Sequence, residues 1–196
     1  MSVAGLVLAG GRSTRMGSDK AMTILGDRTL LARAVARLEP QVDELSVNSN
    51  LLQAEAAGVP VIADATPTFE GPLAGIQAGL QWAQSRGHSA LASVAVDSPF
   101  FPETLVHQLA TGDPARIQVA RSIGRVHPVF ALWPVTALEP LSNFLARAET
   151  RKVMTFLDEF GFDGVDFPTE AFDPFFNVNT PDDLAEAERI SRLIGS

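Results

Sequence analysis

Cysteine is absent from this 196-residue chain, so it has no disulfides, no thiol nucleophile and no thiolate metal site. Histidine is scarce. His88, His107 and His127 are scattered and form no H-E-x-x-H pattern, so a zinc site would be hard to build. No apolar run is long enough to cross a bilayer, and the N-terminus lacks the charged-then-apolar order of a signal peptide. The expectation is therefore a cytoplasmic protein with no membrane partner. Basic residues are outnumbered, with 15 Lys and Arg against 23 Asp and Glu and a net charge of −8. Nucleic-acid affinity rests on basic residues set against phosphates, so no nucleic-acid partner is expected. No internal repeat, low-complexity segment or dividing linker interrupts the chain. Hydrophobic residues make up 46%, which excludes a disordered chain and suits one domain with a substantial core.

What is present is concentrated near the start. The apolar run Val3–Val7 reads as a first strand, and Leu8–Lys20, LAGGRSTRMGSDK, follows it directly. Glycines let backbone N–H groups approach anionic oxygens, and Arg15 and Lys20 add mobile positive charge. A helix pattern begins soon after, around Arg28–Leu38. Strand, phosphate loop and helix in that order is how open α/β sheets hold nucleotides. A Walker loop does not fit, because the lysine comes too late after Gly17. The dinucleotide fingerprint G-x-G-x-x-G fails because Gly10 and Gly11 are adjacent. In an acidic protein a phosphate site must be a local positive patch. Arg12, Arg15 and Lys20 form one candidate, and Arg116, Arg121 and Arg125 a looser second.

Apolar runs and amphipathic segments then alternate. Strands are expected at Gly5–Leu8, Leu45–Asn48, Val59–Ala63 and Leu91–Val96. Helices are expected with Leu30, Leu31, Ala34, Val35 and Leu38 on one face, from Pro72 to about Arg86, and from Pro102 to before Gly112. This βαβαβ rhythm predicts an α/β fold: a three-layer, open, mostly parallel sheet with helices on both faces. The last third is less regular. Arg116–Arg121 and Val126–Leu132 read as strands, one of them an antiparallel addition. Pro134–Ala146, Lys152–Glu159 and Asp182–Leu193 read as helices, the last capped by Thr180. Seven of the twelve phenylalanines fall between Phe156 and Phe176, and core packing is the favoured reading over a ligand wall.

The strands of such a sheet end at one edge, where ligands collect. Asn48, Asp64 and Asp97 stand at strand ends there. Asp97 closes the apolar strand Leu91–Val96, and a buried carboxylate needs a partner or a cation. Mg²⁺ favours one or two carboxylates with phosphate oxygens and water. A helix cap is the alternative for Asp97, as turn chemistry is for Asn48 and Asp64. Asp19 is ambiguous, its expected role being either a pair with Arg15 or Lys20 or a hold on the loop. Asn177 and Asn179 flank Val178 and share a side if the segment is extended; turn and cap chemistry before the last helix is their alternative.

The motif LAGG-x-x-x-RMG-x-DK resembles the signature loop of nucleotidyltransferases, and the chain is most similar to the molybdenum cofactor guanylyltransferase family. Gly71-Pro72-Leu73-Ala74-Gly75, Asp97-Ser98-Pro99-Phe100 and Asn177-Val178-Asn179-Thr180-Pro181 resemble further segments of that family in family order, so the likeness spans nearly the whole chain. One departure is Val96, where a cysteine often precedes the metal aspartate.

The resemblance implies a Rossmann-like nucleotidyltransferase fold in one domain, residues 1–196, with a nucleotide-binding part to about residue 112 and an acceptor-side part beyond it. It implies GMP transfer from GTP to molybdopterin or its molybdenum form, with Mg²⁺ and with transient hand-off partners in cofactor insertion or synthesis. GTP would lie against Leu8, Ala9, Gly10, Gly11, Lys20, Asn48, Asp64, Gly71, Pro72 and Asp97. Arg15, Lys20 and Asp97 would be catalytic, Asp97 would hold the metal, and Asn177 and Asn179 would face the acceptor or help hold the metal. Related cytidylyl-transferring enzymes tend to carry LAAG, so Gly10 favours the larger purine. A cytidylyltransferase, a sugar-phosphate nucleotidyltransferase and a binding module without chemistry remain the other readings. The retention of both Lys20 and Asp97 argues against the last.

Overall fold

The computed structural model describes residues 1–10, 20–50, 58–64, 71–147 and 150–195. The first strand, β1 (Val3–Leu8), is fully buried. After a 3₁₀ turn at Lys20–Met22 comes a two-rung hairpin, β2 (Ile24–Leu25) and β3 (Arg28–Thr29). Its tight turn holds Gly26 at φ +66°, a conformation that costs glycine nothing. Helix α1 (Leu30–Leu38) starts where the Thr29 hydroxyl accepts from Ala32 N, and it buries the five residues its periodicity singled out. Strands β4 (Glu44–Asn48) and β5 (Val61–Ile62) follow, then helix α2 (Pro72–Ser85) and strand β6 (Ala90–Ala95).

Helix α3 (Leu105–Leu109) is shorter than the run expected from Pro102. The reason is Gln41. Its Oε1 accepts from Val106 N at 3.0 Å and its Nε2 donates to Pro102 O at 3.2 Å, so a side chain satisfies groups that a first helical turn would use. Beyond it lie β7 (Ile117–Ser122), β8 (Arg125–Pro134), α4 (Leu138–Arg147), α5 (Val153–Phe160), β9 (Phe162–Asp166) and α6 (Pro181–Ile194). Thr180 caps α6 in a reciprocal box with Asp183.

Seven strands form one sheet in the order β5-β4-β1-β6-β8-β7-β9. The first four are parallel, β8 runs antiparallel to both neighbours, and β9 returns parallel to β7. Alternation in β1 sends Val3 and Val7 to one core with α1, α3 and α6. It sends Ala4, Leu6 and Leu8 to the other, with α2, α4 and α5. The mostly parallel sheet is thus covered on both faces, as the alternating pattern predicts. No helix among the described residues is long and apolar enough to cross a membrane.

Strand β9 and the β2–β3 hairpin were not expected. FDGVD carries two aspartates and a glycine, residues disfavoured in strands, and pairing with β7 decides the outcome. The phenylalanine cluster is divided. Phe156, Phe167 and Phe175 are buried, while Phe160, Phe162, Phe172 and Phe176 pack partly buried against the two cores.

Glu44, at the start of β4, ties the end of α2 to the sheet. Its carboxylate accepts from Arg86 Nε at 3.0 Å and pairs with His88 Nε2 at 3.1 Å. The Arg86 and then the His88 hydrogen bonds hold it at about 2, below its ordinary 4.5. The stability this contributes is complete above pH 4.5 and is lost as pH falls through about 2. Glu44→Gln should therefore show a shallower fall of melting temperature than the parent across that window. Parallel melting profiles would remove the contribution.

Candidate active site at the strand edge

Register puts the strand ends in one row. Leu8 pairs with Asn48 and with Ala95, and Asn48 pairs with Ile62. Gly10, Asn50, Asp64 and Asp97 each stand two residues past that row, where the chain leaves the sheet. Two polar clusters are built there.

The first centres on Asn48, which is 4% exposed. Its Nδ2 donates to Ile62 O at 3.2 Å and to Asp64 Oδ1 at 2.9 Å. Asn50 Nδ2 donates to Asp64 Oδ2 at 2.8 Å, and Asp64 N donates back to Asn50 Oδ1 at 2.9 Å. Ala9 N donates to Asn48 O at 2.9 Å, which holds the exit of β1 against the same residue. A Cβ on Gly10 would lie 3.6 Å from Asn48 Oδ1, an ordinary contact. Gly71 precedes α2 at φ +115°, with no side-chain cap and no acidic residue in the first turn. Its conformation excludes most other residues, and the uncapped N–H groups suit an anion.

The second cluster centres on Lys20. Its Nζ donates to Asp97 Oδ2 at 2.8 Å and to Asn179 Oδ1 at 2.5 Å. The Lys20 and Asp97 side chains are 16% and 24% exposed, so the pair is half-sheltered and still reachable from solvent. The backbone completes the junction, with Val178 N donating to Asp97 O at 2.8 Å and the Ser98 hydroxyl donating to Asn177 Oδ1. Val178 is fully buried while Asn177 and Asn179 are exposed, so the two amides do share one side. Asn179 also serves the cap, its N–H donating to Asp183 Oδ2 at 2.9 Å. Asp97 does not cap α3, which begins only at Leu105, and its carboxylate accepts from Lys20. Val96 packs into the core at 7% exposure, as a strand residue should.

Gly11 and Arg15 lie outside the described residues, as do Arg12, Met16, Gly17 and Asp19. The second basic patch does not form. Arg116 pairs with Asp163 at 2.9 Å and Arg121 with Asp166 at 2.5 Å across β7 and β9, so two of its three charges are spent on the unexpected strand. Asn50 and Ser98 were missed as partners in these clusters. Asn50 alternates with Asn48, and Ser98 lies inside D-S-P-F; both signals stood in the sequence.

Among the described residues no three His, Asp or Glu side chains gather as a metal cluster. Asp97 with the nearby amide oxygens is a sparse oxygen donor set. That suits Mg²⁺, which draws its remaining ligands from phosphate and water, better than a cation needing a full protein cage.

Residues 5–160 match the MobA-like NTP transferase domain. Molybdenum cofactor guanylyltransferase of Rhizobium johnstonii is 46% identical over 195 residues, covering 95% of this chain and 92% of its own. The chain belongs to the MobA-like NTP transferase family. A crystal structure of molybdopterin-guanine dinucleotide biosynthesis protein A from Archaeoglobus fulgidus superposes with TM-score 0.77 at 26% identity, over 97% of this chain and 99% of that one. The fold extends further. 2-C-methyl-D-erythritol 4-phosphate cytidylyltransferase from Thermus thermophilus gives TM-score 0.69 at 21% identity, over 98% of this chain and 100% of that one. The MobA-like match ends at residue 160, ahead of the Asn177–Pro181 segment, yet that segment closes onto Asp97 and Lys20.

Proposed function

We propose that this protein transfers GMP from GTP to the terminal phosphate of molybdopterin, or of its molybdenum form, as its relatives' name implies. The acceptor phosphate oxygen attacks the α-phosphorus of GTP, one P–O bond forms, the bond to the β-phosphate oxygen breaks, and pyrophosphate leaves. The observation that carries this reading is the Lys20–Asp97–Asn179 junction beside the Asn48–Asp64 cluster, on one sheet edge. Lys20 lies over the phosphates and offsets the charge that grows on the attacked group and leaving group, and Arg15 is assigned the same role. Leu8, Ala9 and Gly10 offer backbone to the base and Gly11 is assigned the same part, with Asn48 and Asp64 holding the adjoining wall and Gly71 and Pro72 opening α2 toward the phosphates. Asn177 and Asn179 face the acceptor. Asp97 would hold Mg²⁺, which would neutralise phosphate charge when bound. The chain acts by positioning and electrostatics. The reaction belongs in the cytoplasm, with the product handed to cofactor-inserting proteins.

Calorimetric titration with GTP and CTP, with and without Mg²⁺, tests the reading. A Mg²⁺-dependent preference for GTP is expected, followed by pyrophosphate release once the pterin is added. Preference for CTP would move the protein to cytidylyl transfer. Gly10→Ala sharpens the test, because its Cβ meets nothing closer than 3.6 Å within the described protein and folding should be unaffected. It should weaken GTP more than CTP. Equal losses would remove the purine-size argument.

A further inference from the structure

Strand β8 runs antiparallel to β6, so its start lies at the same edge as Asp97. The β7–β8 turn stands there, with Ile123 and Gly124 at φ 50° and 70°. From the end of β9 the chain crosses this turn to reach β6. Phe167 N donates to Arg121 O at 2.8 Å at the outset, and Val178 N meets Asp97 O at the far end. Between these points one buried polar relay fastens it. The Ser122 hydroxyl, 1% exposed, donates to Asp173 Oδ1 at 2.9 Å. His127 Nε2, on a ring 8% exposed, lies 2.7 Å from the same hydroxyl oxygen. With the hydroxyl proton committed to the carboxylate, Nε2–H must be the donor to Ser122. Asp173 Oδ1 also accepts from Phe175 N at 3.0 Å, turning the chain so that the Phe175 ring stacks on His127 at 4.4 Å. Burial pushes the imidazole below its ordinary value against the pull of Asp173, which suits a neutral donor.

The side-chain hydrogen bonds of these three residues run among themselves and to Phe175, and the segment they anchor reaches Lys20 and Asp97. Asp173 lies four residues before Asn177 and six before Asn179, whose amide oxygen holds the Lys20 ammonium. We propose that Ser122, His127 and Asp173 are positioning residues: the relay fixes the run from Asp173 to Asn179, and through Asn179 it sets the place of Lys20 over the reacting phosphates. This rests on the GMP-transfer reading of the site. Removing the outer hydrogen-bond partner that orients a ligand at a metal site costs about 10–100-fold in affinity or activity, and a loss of the same order is expected for this support.

The chain has two lysines, Lys20 and Lys152, and Lys152 is exposed. Acylation by a small amine-reactive ester, read by mass spectrometry as the Lys20 to Lys152 ratio, therefore reports the hold on Lys20 without any substrate. In Ser122→Ala and Asp173→Ala the ratio should rise severalfold, and kcat for GMP transfer should fall about 10–100-fold with KM for GTP unchanged. Asp173→Asn keeps an acceptor oxygen and should restore both. Circular dichroism establishes folding, and Ser122→Ala, which removes one oxygen atom, carries the test if Asp173→Ala does not fold. An unchanged labelling ratio in the folded variants overturns the proposal. A parent enzyme that transfers no GMP would instead sink the reading of the site, and the labelling ratio would still decide whether the relay holds Lys20.

Discussion

Lys20→Ala should lower kcat about 10²–10³-fold, the loss seen when one preorganised group stabilising transition-state charge is removed. Phosphoryl and nucleotidyl transfers give the protein little covalent work, so placed charge is the main contribution it has to lose. The fold should survive the change. Asp97 keeps its backbone bond to Val178, and its carboxylate, 24% exposed as a side chain, is open to hydration when the ammonium is gone. Lys20→Arg should not rescue fully, because a planar guanidinium does not reproduce a compact ammonium held between a carboxylate and an amide oxygen. Asp97→Asn should spare the position of Lys20 while abolishing the Mg²⁺ dependence of GTP binding. The measurement is steady-state turnover beside a thermal melt. A Lys20→Ala protein with parental kcat and a parental melt would show that this lysine is a surface cation and would remove the catalytic assignment.

The sequence disclosed the parts of this site that repeat at a fixed period or end an apolar run. Leu30, Leu31, Ala34, Val35 and Leu38 lie on one helical face, and all are buried. Asn48, Asp64 and Asp97 close or follow parallel strands, and parallel pairing alone is enough to bring such residues to one edge. What it withheld depends on contacts distant in the chain. Strand β9 has poor intrinsic preference and exists because β7 offers an unpaired edge, so neither it nor its capture of Arg116 and Arg121 could be read from periodicity. The link from Asn179 to Lys20 spans 159 positions, and the Ser122–Asp173 bond spans 51. The motifs N-x-N-T-P and D-S-P-F told which residue types were present but not that one would close upon the other. The helix-cap alternative for Asp97 was reasonable on propensity, and it fails because α3 begins only at Leu105, with Thr104 in the N-cap position.

Gly75→Ala should destabilise the protein and weaken GTP binding together, against the trend of helix propensity. Gly75 lies inside α2, where alanine is ordinarily better by about 1 kcal/mol. Here a Cβ would sit 2.2 Å from Asn48 Oδ1, 2.8 Å from Asn48 Cγ and 2.7 Å from Leu8 Cδ2. The amide cannot yield freely, since Asn48 is 4% exposed and its Nδ2 is tied to Asp64 and Ile62. Overpacking of this kind costs about 1–3 kcal/mol, which outweighs the propensity gain. Relief requires Asn48 to swing away, and that breaks the Asn48–Asp64 wall assigned to the base. GTP affinity should then fall about tenfold, equivalent to ~1.4 kcal/mol. Gly79→Ala is the control: its Cβ would press on the tips of Leu6 and Leu91, at 2.6 and 2.9 Å, so it should cost stability and spare GTP affinity. Adding Asn48→Ala to Gly75→Ala removes the colliding amide. The melting temperature should recover part of its loss, so the two changes are non-additive, while GTP affinity stays low. Parental GTP affinity in Gly75→Ala would show that Asn48 packs the helix against the sheet and takes no part in holding the nucleotide.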